Sequence, residues 1–265
     1  MLGKLLKYEI RAMGRIMLPL YLVMIFVAGL FAVNMRLGLS GTAKTVVEKF
    51  ALITGFLFFA AILAVMVVMT LMVVQRFYRN LLGTEGYLMF TLPVTTLQHI
   101  VCKALTSLLW IVIGIGAGVL SGFLMVGILS NIPEFMEELQ EAWRMFFSTD
   151  GLAVRIVLFA VLVIVGIVES VCKVYAAMAA GHQFSGHRIL ASVGAYIVFG
   201  IVELILGTVF SADNKVFGGL VGSVGRAVGN IPNGSMLVFI LVALIGVIVY
   251  GGLSWYLLDR RLNLE

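Results

Sequence analysis

The sequence predicts an all-α membrane protein that crosses the bilayer six times. Three observations indicate this fold class: long apolar runs, a low charged fraction and short polar segments between the runs. Hydrophobic residues make up 62% of the chain and charged residues only 12%, whereas about a quarter of an average soluble domain is charged. We therefore treat residues 1–265 as a single transmembrane domain.

Each apolar run is long enough to cross a bilayer, which takes about 20 mainly apolar residues. Four runs contain no charged residue, while the fourth contains Glu169 and Lys173 and the fifth contains Glu203. The predicted spans cover residues 16–36, 50–75, 101–129, 154–180, 189–210 and 235–258.

The distribution of Lys and Arg predicts the orientation of the spans. An even number of spans puts both termini on one side, which then receives 11 of the 18 basic residues. The other side also carries the acidic segment 131–150. Because positive residues favour the cytoplasm, both termini are predicted to be cytoplasmic. The net charge of +5 thus reflects membrane topology and does not indicate a nucleic-acid partner.

Residues 1–15 are predicted to form an amphipathic helix. Apolar residues recur there at helical spacing, and the opposite face carries Lys4, Lys7, Arg11 and Arg15. Such a helix lies flat in the headgroup region of the cytoplasmic leaflet, with its cations near anionic lipid. The alternative is flanking charge that only orients the first span.

Two loops on the opposite side have helical features. In segment 131–150, Asn131 is a candidate N-cap, Pro133 lies in the first turn, and the acidic residues that follow complement the helix dipole. Segment 215–234, between spans five and six, is too apolar for a solvated loop and too rich in glycine for a span. A re-entrant outer hairpin, packed closely at Gly222 and Gly225 as an outer gate, satisfies its backbone best.

Glycines also mark the third span. Gly114, Gly118 and Gly122 recur every four residues, a stripe that lets another helix approach closely. The contacting helix can belong to the same chain or to another subunit.

Three ionisable residues within the spans form a candidate intramembrane polar site. Such residues are costly in lipid and are often functional. Glu169 and Lys173 are four positions apart, which places them on one helix face and favours a local ion pair. Glu203 has no partner nearby in the sequence, so it meets a polar group on another helix or lines a water-filled route. The site either contacts substrate or only stabilises the helices.

Enzymatic motifs are missing. The sequence contains no HExxH or GxSxG motif, and no catalytic, cofactor-binding or metal-binding residue is predicted. Segment 181–188, GHQFSGHR, has the glycine spacing of a phosphate-binding loop, but His187 and Arg188 stand where such a loop requires Lys followed by Ser or Thr. We therefore expect that this chain does not itself bind ATP.

The loop 76–100 contains the most specific sequence pattern in the chain. Arg76 and Arg79 mark the cytoplasmic face, Gly83 and Gly86 permit a tight reversal, and an apolar stretch then ends at Pro93. A short apolar element held at this face favours a protein partner or the lipid interface.

This loop resembles the corresponding loop of ABC-2-type exporter permeases, particularly the small six-span permeases of Gram-positive bacteria. The matching residues are Glu85, Gly86, Tyr87, Leu88, Leu92, Pro93, Val94 and Lys103. The resemblance implies a permease in the bacterial plasma membrane that pairs with a second permease chain, as a homodimer or heterodimer. It also implies a separate cytoplasmic ABC ATPase that binds ATP and Mg. The ATPase-coupling residues would be Glu85, Gly86, Tyr87, Leu88, Phe90 and Pro93.

A secondary transporter is the alternative. Such a protein needs no ATPase and places coupling carboxylates near the bilayer midplane. Glu169 and Glu203 are the residues available for ion or substrate coupling.

Overall fold

The computed structural model describes residues 2–39, 44–82, 95–130, 132–148, 151–184, 186–211 and 233–260. Within these ranges the chain forms seven α-helices and one π-helix, Tyr78–Leu82, which follows α2. The α-helices are α1 Leu2–Leu39, α2 Lys44–Phe77, α3 Thr96–Leu129, α4 Ile132–Ser148, α5 Leu152–Gly181, α6 Arg188–Ser211 and α7 Asn233–Arg260. All except α4 are long and apolar enough to cross a membrane, which agrees with the predicted number of six spans.

Large apolar side chains remain exposed along the spanning helices. Phe56 in α2 and Ile248 in α7, for example, are each more than two-thirds exposed. Such surfaces are stable against lipid tails, which are as apolar as the side chains themselves. This exposure agrees with a multi-pass membrane protein.

Helix α1 joins the basic N-terminal segment to the first span without a break. Its 38 residues extend for about 57 Å, against about 30 Å of hydrocarbon core. The four basic residues of the predicted amphipathic helix are exposed, whereas Glu9, Met13 and Met17 are buried. The N-terminal part of α1 is therefore amphipathic. The position of this part in the headgroup region stays a prediction.

Helix α4 confirms the predicted helix in segment 131–150. Its Phe135 ring packs edge-on against Phe123 of α3, with 6.4 Å between ring centroids. Farther along α4, Trp143 and Phe147 are about two-thirds exposed and their rings lie 5.1 Å apart. The helix thus presents aromatic surface as well as carboxylates.

The chain divides into two compact units. The amino unit comprises Leu6–Met72 and Leu109–Ser148, and the carboxyl unit comprises Met1–Leu5, Val73–Leu108 and Thr149–Glu265. The core of the amino unit is formed by Met13, Met17, Tyr21, Met24, Met69, Met72, Trp110 and Ala117. The Tyr21 hydroxyl donates a hydrogen bond of 2.8 Å to the carbonyl of Trp110, which fastens α1 to α3.

In the carboxyl unit, α5 packs against both α6 and α7. The end of α5 is its most buried part, where Tyr175 stacks on Phe77 with 4.1 Å between ring centroids. Gly181 allows the backbone of Ser192 to approach closely, since a side chain at this position would overlap Ser192. The short connection from α5 to α6 is compatible with this close approach.

Candidate functional site

Helices α5, α6 and α7 bring the three predicted intramembrane residues together in the carboxyl unit. The Lys173 ammonium lies 2.5 Å from Oε2 of Glu203. The Tyr250 hydroxyl donates a hydrogen bond of 2.6 Å to Oε1 of the same carboxylate. Lys173 also lies over the Tyr196 ring, 5.0 Å from its centroid. We call Glu169, Lys173, Tyr196, Glu203 and Tyr250 the intramembrane cluster.

The predicted local pair between Glu169 and Lys173 is not the pair that forms. Lys173 instead reaches across to Glu203 on α6. The Tyr250 hydroxyl also donates a hydrogen bond to Glu203. This second hydrogen bond helps to fix the position of the carboxylate that Lys173 contacts. Glu203 thus has a polar partner on another helix, the first of its two predicted alternatives.

Two glycines provide room for the charged groups. A side chain at Gly246 of α7 would overlap the carboxylate of Glu169 and come within 2.7 Å of its Cδ. At Gly200 of α6, an added Cβ would lie 3.7 Å from the Lys173 ammonium. The apolar neighbours of the cluster include Cys172, Ala176 and Phe199, so the charges lie in a largely apolar environment.

Tyr250, Tyr196 and both glycines were not among the predicted site residues. Tyr250 lies in an apolar run without any charged residue, so nothing near it in the sequence predicts a polar role. The available signal was its hydroxyl, because a phenolic group within a span requires a hydrogen-bond partner.

The six predicted ATPase-coupling residues lie outside the described residues: Glu85, Gly86, Tyr87, Leu88, Phe90 and Pro93. The structure does describe both ends of this loop. On the entry side, Phe77 stacks on Tyr175, and Tyr78 lies edge-on to His182 with 5.9 Å between ring centroids. The end of α2 is thus held against the end of α5.

The exit side of the loop is fixed by a capping box. The Thr95 amide donates to the side-chain oxygen of Gln98, and the Gln98 amide donates to the Thr95 hydroxyl. This reciprocal arrangement satisfies two amides at the start of α3. The Thr96 hydroxyl then donates a hydrogen bond of 3.2 Å to Asp259, which ties α3 to the end of α7.

His182, directly after α5, is a titratable residue that contacts Tyr78 on the entry side of the loop. Its partial burial lowers the pKa of His182 below the ordinary 6.5, and the nearby Arg188 guanidinium lowers it further. Burial and Arg188 therefore favour the neutral imidazole of His182.

The predicted outer gate, Gly222 and Gly225, also lies outside the described residues. Of the three glycines in the α3 stripe, Gly114 meets the Tyr21 ring of the same unit. Gly118 and Gly122 have open space beside them. The close intramolecular contact is thus made at Gly114.

Comparisons with protein-family models, curated proteins and solved structures found no match for this chain. A functional assignment therefore depends on the residues of this sequence and on their arrangement.

Proposed function

We propose that the chain is the permease subunit of an ABC-type exporter in the bacterial plasma membrane. The observation that carries the proposal is the loop sequence from Glu85 to Pro93, followed by Lys103, which resembles the ATPase-docking loop of ABC-2-type permeases. The six spans supply the membrane domain that such a subunit needs. Buried aromatic anchors dominate the energetics of protein interfaces, and Tyr87 and Phe90 would serve as those anchors.

The anchored ends of the loop support this proposal. The entry side is held to α5 through Phe77 and Tyr78, and the exit side is held to α7 through Thr96. A force applied to the loop by a partner would therefore act on helices α5 and α7. Both helices contribute to the intramembrane cluster, so movement of the loop would reach the charged residues of the spans.

The energy source would be a separate cytoplasmic ATPase, because segment 181–188 lacks the Lys and Ser or Thr of a phosphate-binding loop. ATP and Mg would bind to that partner. A second permease chain, identical or related, would complete the path across the membrane. In this arrangement both termini and the loop 76–100 are cytoplasmic, as the distribution of basic residues predicts.

Co-purification with a defined ATPase tests this proposal. The proposal expects a gene for an ABC ATPase beside the gene for this chain; the two proteins are co-expressed with a tag on the permease, and the detergent-solubilised complex is analysed by native mass spectrometry. We expect two permease chains and two ATPase chains, and we expect Tyr87→Ala to lower the yield of the complex. Tyr8→Ala, at an exposed position in α1, is the matched control. The absence of such a gene, or a permease that purifies alone, would contradict the proposal.

The second candidate is a secondary transporter, which the intramembrane cluster favours because ion-coupled transporters place carboxylates within their spans. Glu169 and Glu203 would then couple ion and substrate movement. Transport by the permease alone into proteoliposomes, driven by an ion gradient without ATP, would support this candidate over the exporter.

A further inference from the structure

The intramembrane cluster contains one more carboxylate group than ammonium groups. It contains two carboxylates, Glu169 and Glu203, and one ammonium, Lys173. Both oxygens of Glu203 are occupied, one by Lys173 and the other by the Tyr250 hydroxyl. With all three groups ionised, the cluster carries one net negative charge. An uncompensated charge at this position is costly, and a bound positive charge would remove the cost.

Glu169 is the carboxylate that remains available. Among the described residues, the direct ion pair of the cluster joins Lys173 to Glu203, and Glu169 interacts with these two charges only at longer range. The Glu169 carboxylate lies against Gly246, where any larger residue would overlap it. The absence of a side chain on α7 therefore keeps a place for this carboxylate between the helices.

The surroundings of Lys173 show how the cluster holds an ammonium group. A carboxylate lies on one side of its nitrogen, and the Tyr196 ring lies 5.0 Å away. A carboxylate combined with an aromatic ring is a typical environment for an organic cation. The cluster thus accommodates one ammonium group, and Glu169 is a second carboxylate in the same cluster.

The cluster is open on one side. The Glu203 side chain is 38% exposed, and Tyr196 is 44% exposed. The neighbouring residues Ile197 and Ile201 present apolar surface, each at least half exposed. A ligand with an apolar tail could lie along α6 and place its charged head at the carboxylates.

We propose that the intramembrane cluster binds the single cationic head of an amphipathic ligand, with Glu169 as the accepting carboxylate. If the chain is an exporter, which is the proposed function above, the transported substrate belongs to this chemical class. The binding itself does not depend on an ATPase and can be measured on the permease alone.

Equilibrium binding of radiolabelled dodecylammonium to the permease in nanodiscs tests the proposal, with empty nanodiscs as background. Dodecanol, which has the same tail without the charge, is the matched ligand control. We expect saturable binding of dodecylammonium, which excess dodecanol does not displace. Glu169→Gln should weaken binding by about tenfold or more, since a charge-assisted contact is lost. Glu138→Gln, an acidic residue in exposed α4, should leave binding unchanged.

Three further variants separate a binding role from a structural one. Lys173→Met should strengthen binding because it removes the tethered competitor and leaves two carboxylates. Gly246→Ala should weaken it because the new methyl group displaces the Glu169 carboxylate, whereas Gly252→Ala, with open space beside it, should have no effect. Glu169→Asp should retain binding if Glu169→Gln proves unstable.

Equal affinity in the wild type, Glu169→Gln and Glu169→Asp, or displacement of dodecylammonium by dodecanol, would overturn the proposal. Non-saturable uptake would also overturn the proposal, because dodecylammonium would then enter the lipid without binding the cluster. A proton would in that case balance the charge of the cluster. None of these results bears on complex formation with the ATPase, which is measured without ligand.

Discussion

Lys173 illustrates how an ionic group is accommodated among apolar spans. Its ammonium meets Glu203, whose other oxygen accepts the Tyr250 hydroxyl. The desolvation of such a pair is expensive, and most of its value is lost when one partner is removed and the other stays charged. The three residues should therefore behave as one energetic unit and not as separate contacts.

This coupling predicts the outcome of a double-mutant cycle. Lys173→Met should lower the free energy of unfolding by about 1–3 kcal/mol, less than for a fully buried pair because Glu203 is partly exposed. Adding Glu203→Gln should restore part of the loss, since the side chain left without its Lys173 partner is then an uncharged amide. Thermal unfolding in detergent measures both effects, with exposed Lys7→Met as the control. Strictly additive losses would show that the two residues do not interact.

A second prediction at the residue scale concerns His182. Its pKa in the folded protein is lowered by burial and by Arg188, so the unfolded chain binds a proton more readily. Stability from the neutral imidazole is thus fully present above the ordinary pKa of 6.5 and is lost as the pH falls through the folded value. Between about pH 7.5 and pH 5.5, the wild type should lose more stability than His182→Gln. His187→Gln, at an exposed position, should follow the wild type; identical pH profiles for all three would contradict the prediction.

At the scale of the elements, helix packing in the amino unit depends on single small residues. Gly114 of α3 faces Tyr21 of α1, and an added Cβ would lie 2.8 Å from the tyrosine oxygen. That oxygen donates to the Trp110 carbonyl, so moving it would break the hydrogen bond that fastens the two helices. Gly118, one turn farther along α3, has no neighbour within contact distance.

The two glycines therefore predict a matched comparison. Gly114→Ala should destabilise the permease by about 1–2 kcal/mol through the displaced hydroxyl, whereas Gly118→Ala should leave the stability of the isolated chain unchanged. Thermal unfolding of both variants in the same detergent provides the measurement. An equal loss at the two positions would mean that the stripe packs as a whole against another subunit.

The helices could be predicted from sequence more fully than the site. Long apolar runs, four of them without charge, predict the six spans, and Pro133 together with the following acidic residues predicts α4. The sequence does not reveal that α1 continues past residue 15, because the change from basic to apolar residues is also typical of a boundary between an interfacial helix and a span. The partner of Lys173 could not be found either, because spacing within α5 does not reveal which neighbouring helix offers a better carboxylate.

At the scale of the whole molecule, the even number of spans predicts that both termini lie on the same side of the membrane. Single cysteines at Ser148 and Ser185, in a chain whose Cys102 and Cys172 are replaced by alanine, should react with a membrane-impermeant maleimide from opposite sides. Ser148 ends α4 on the predicted outer side, and Ser185 follows α5 on the predicted cytoplasmic side. Labelling of both positions from outside intact cells would exclude the six-span topology.

The most direct test of the exporter proposal measures ATP hydrolysis by the partner ATPase in nanodiscs, with and without the permease. The wild-type permease should change the hydrolysis rate, since a docked loop transmits its conformation to the ATPase. The double variant Glu85→Lys/Tyr87→Ala should insert and fold normally, and the rate should return to that of the ATPase alone. A rate that the wild-type permease does not change, or that the double variant changes equally, would contradict the proposed coupling.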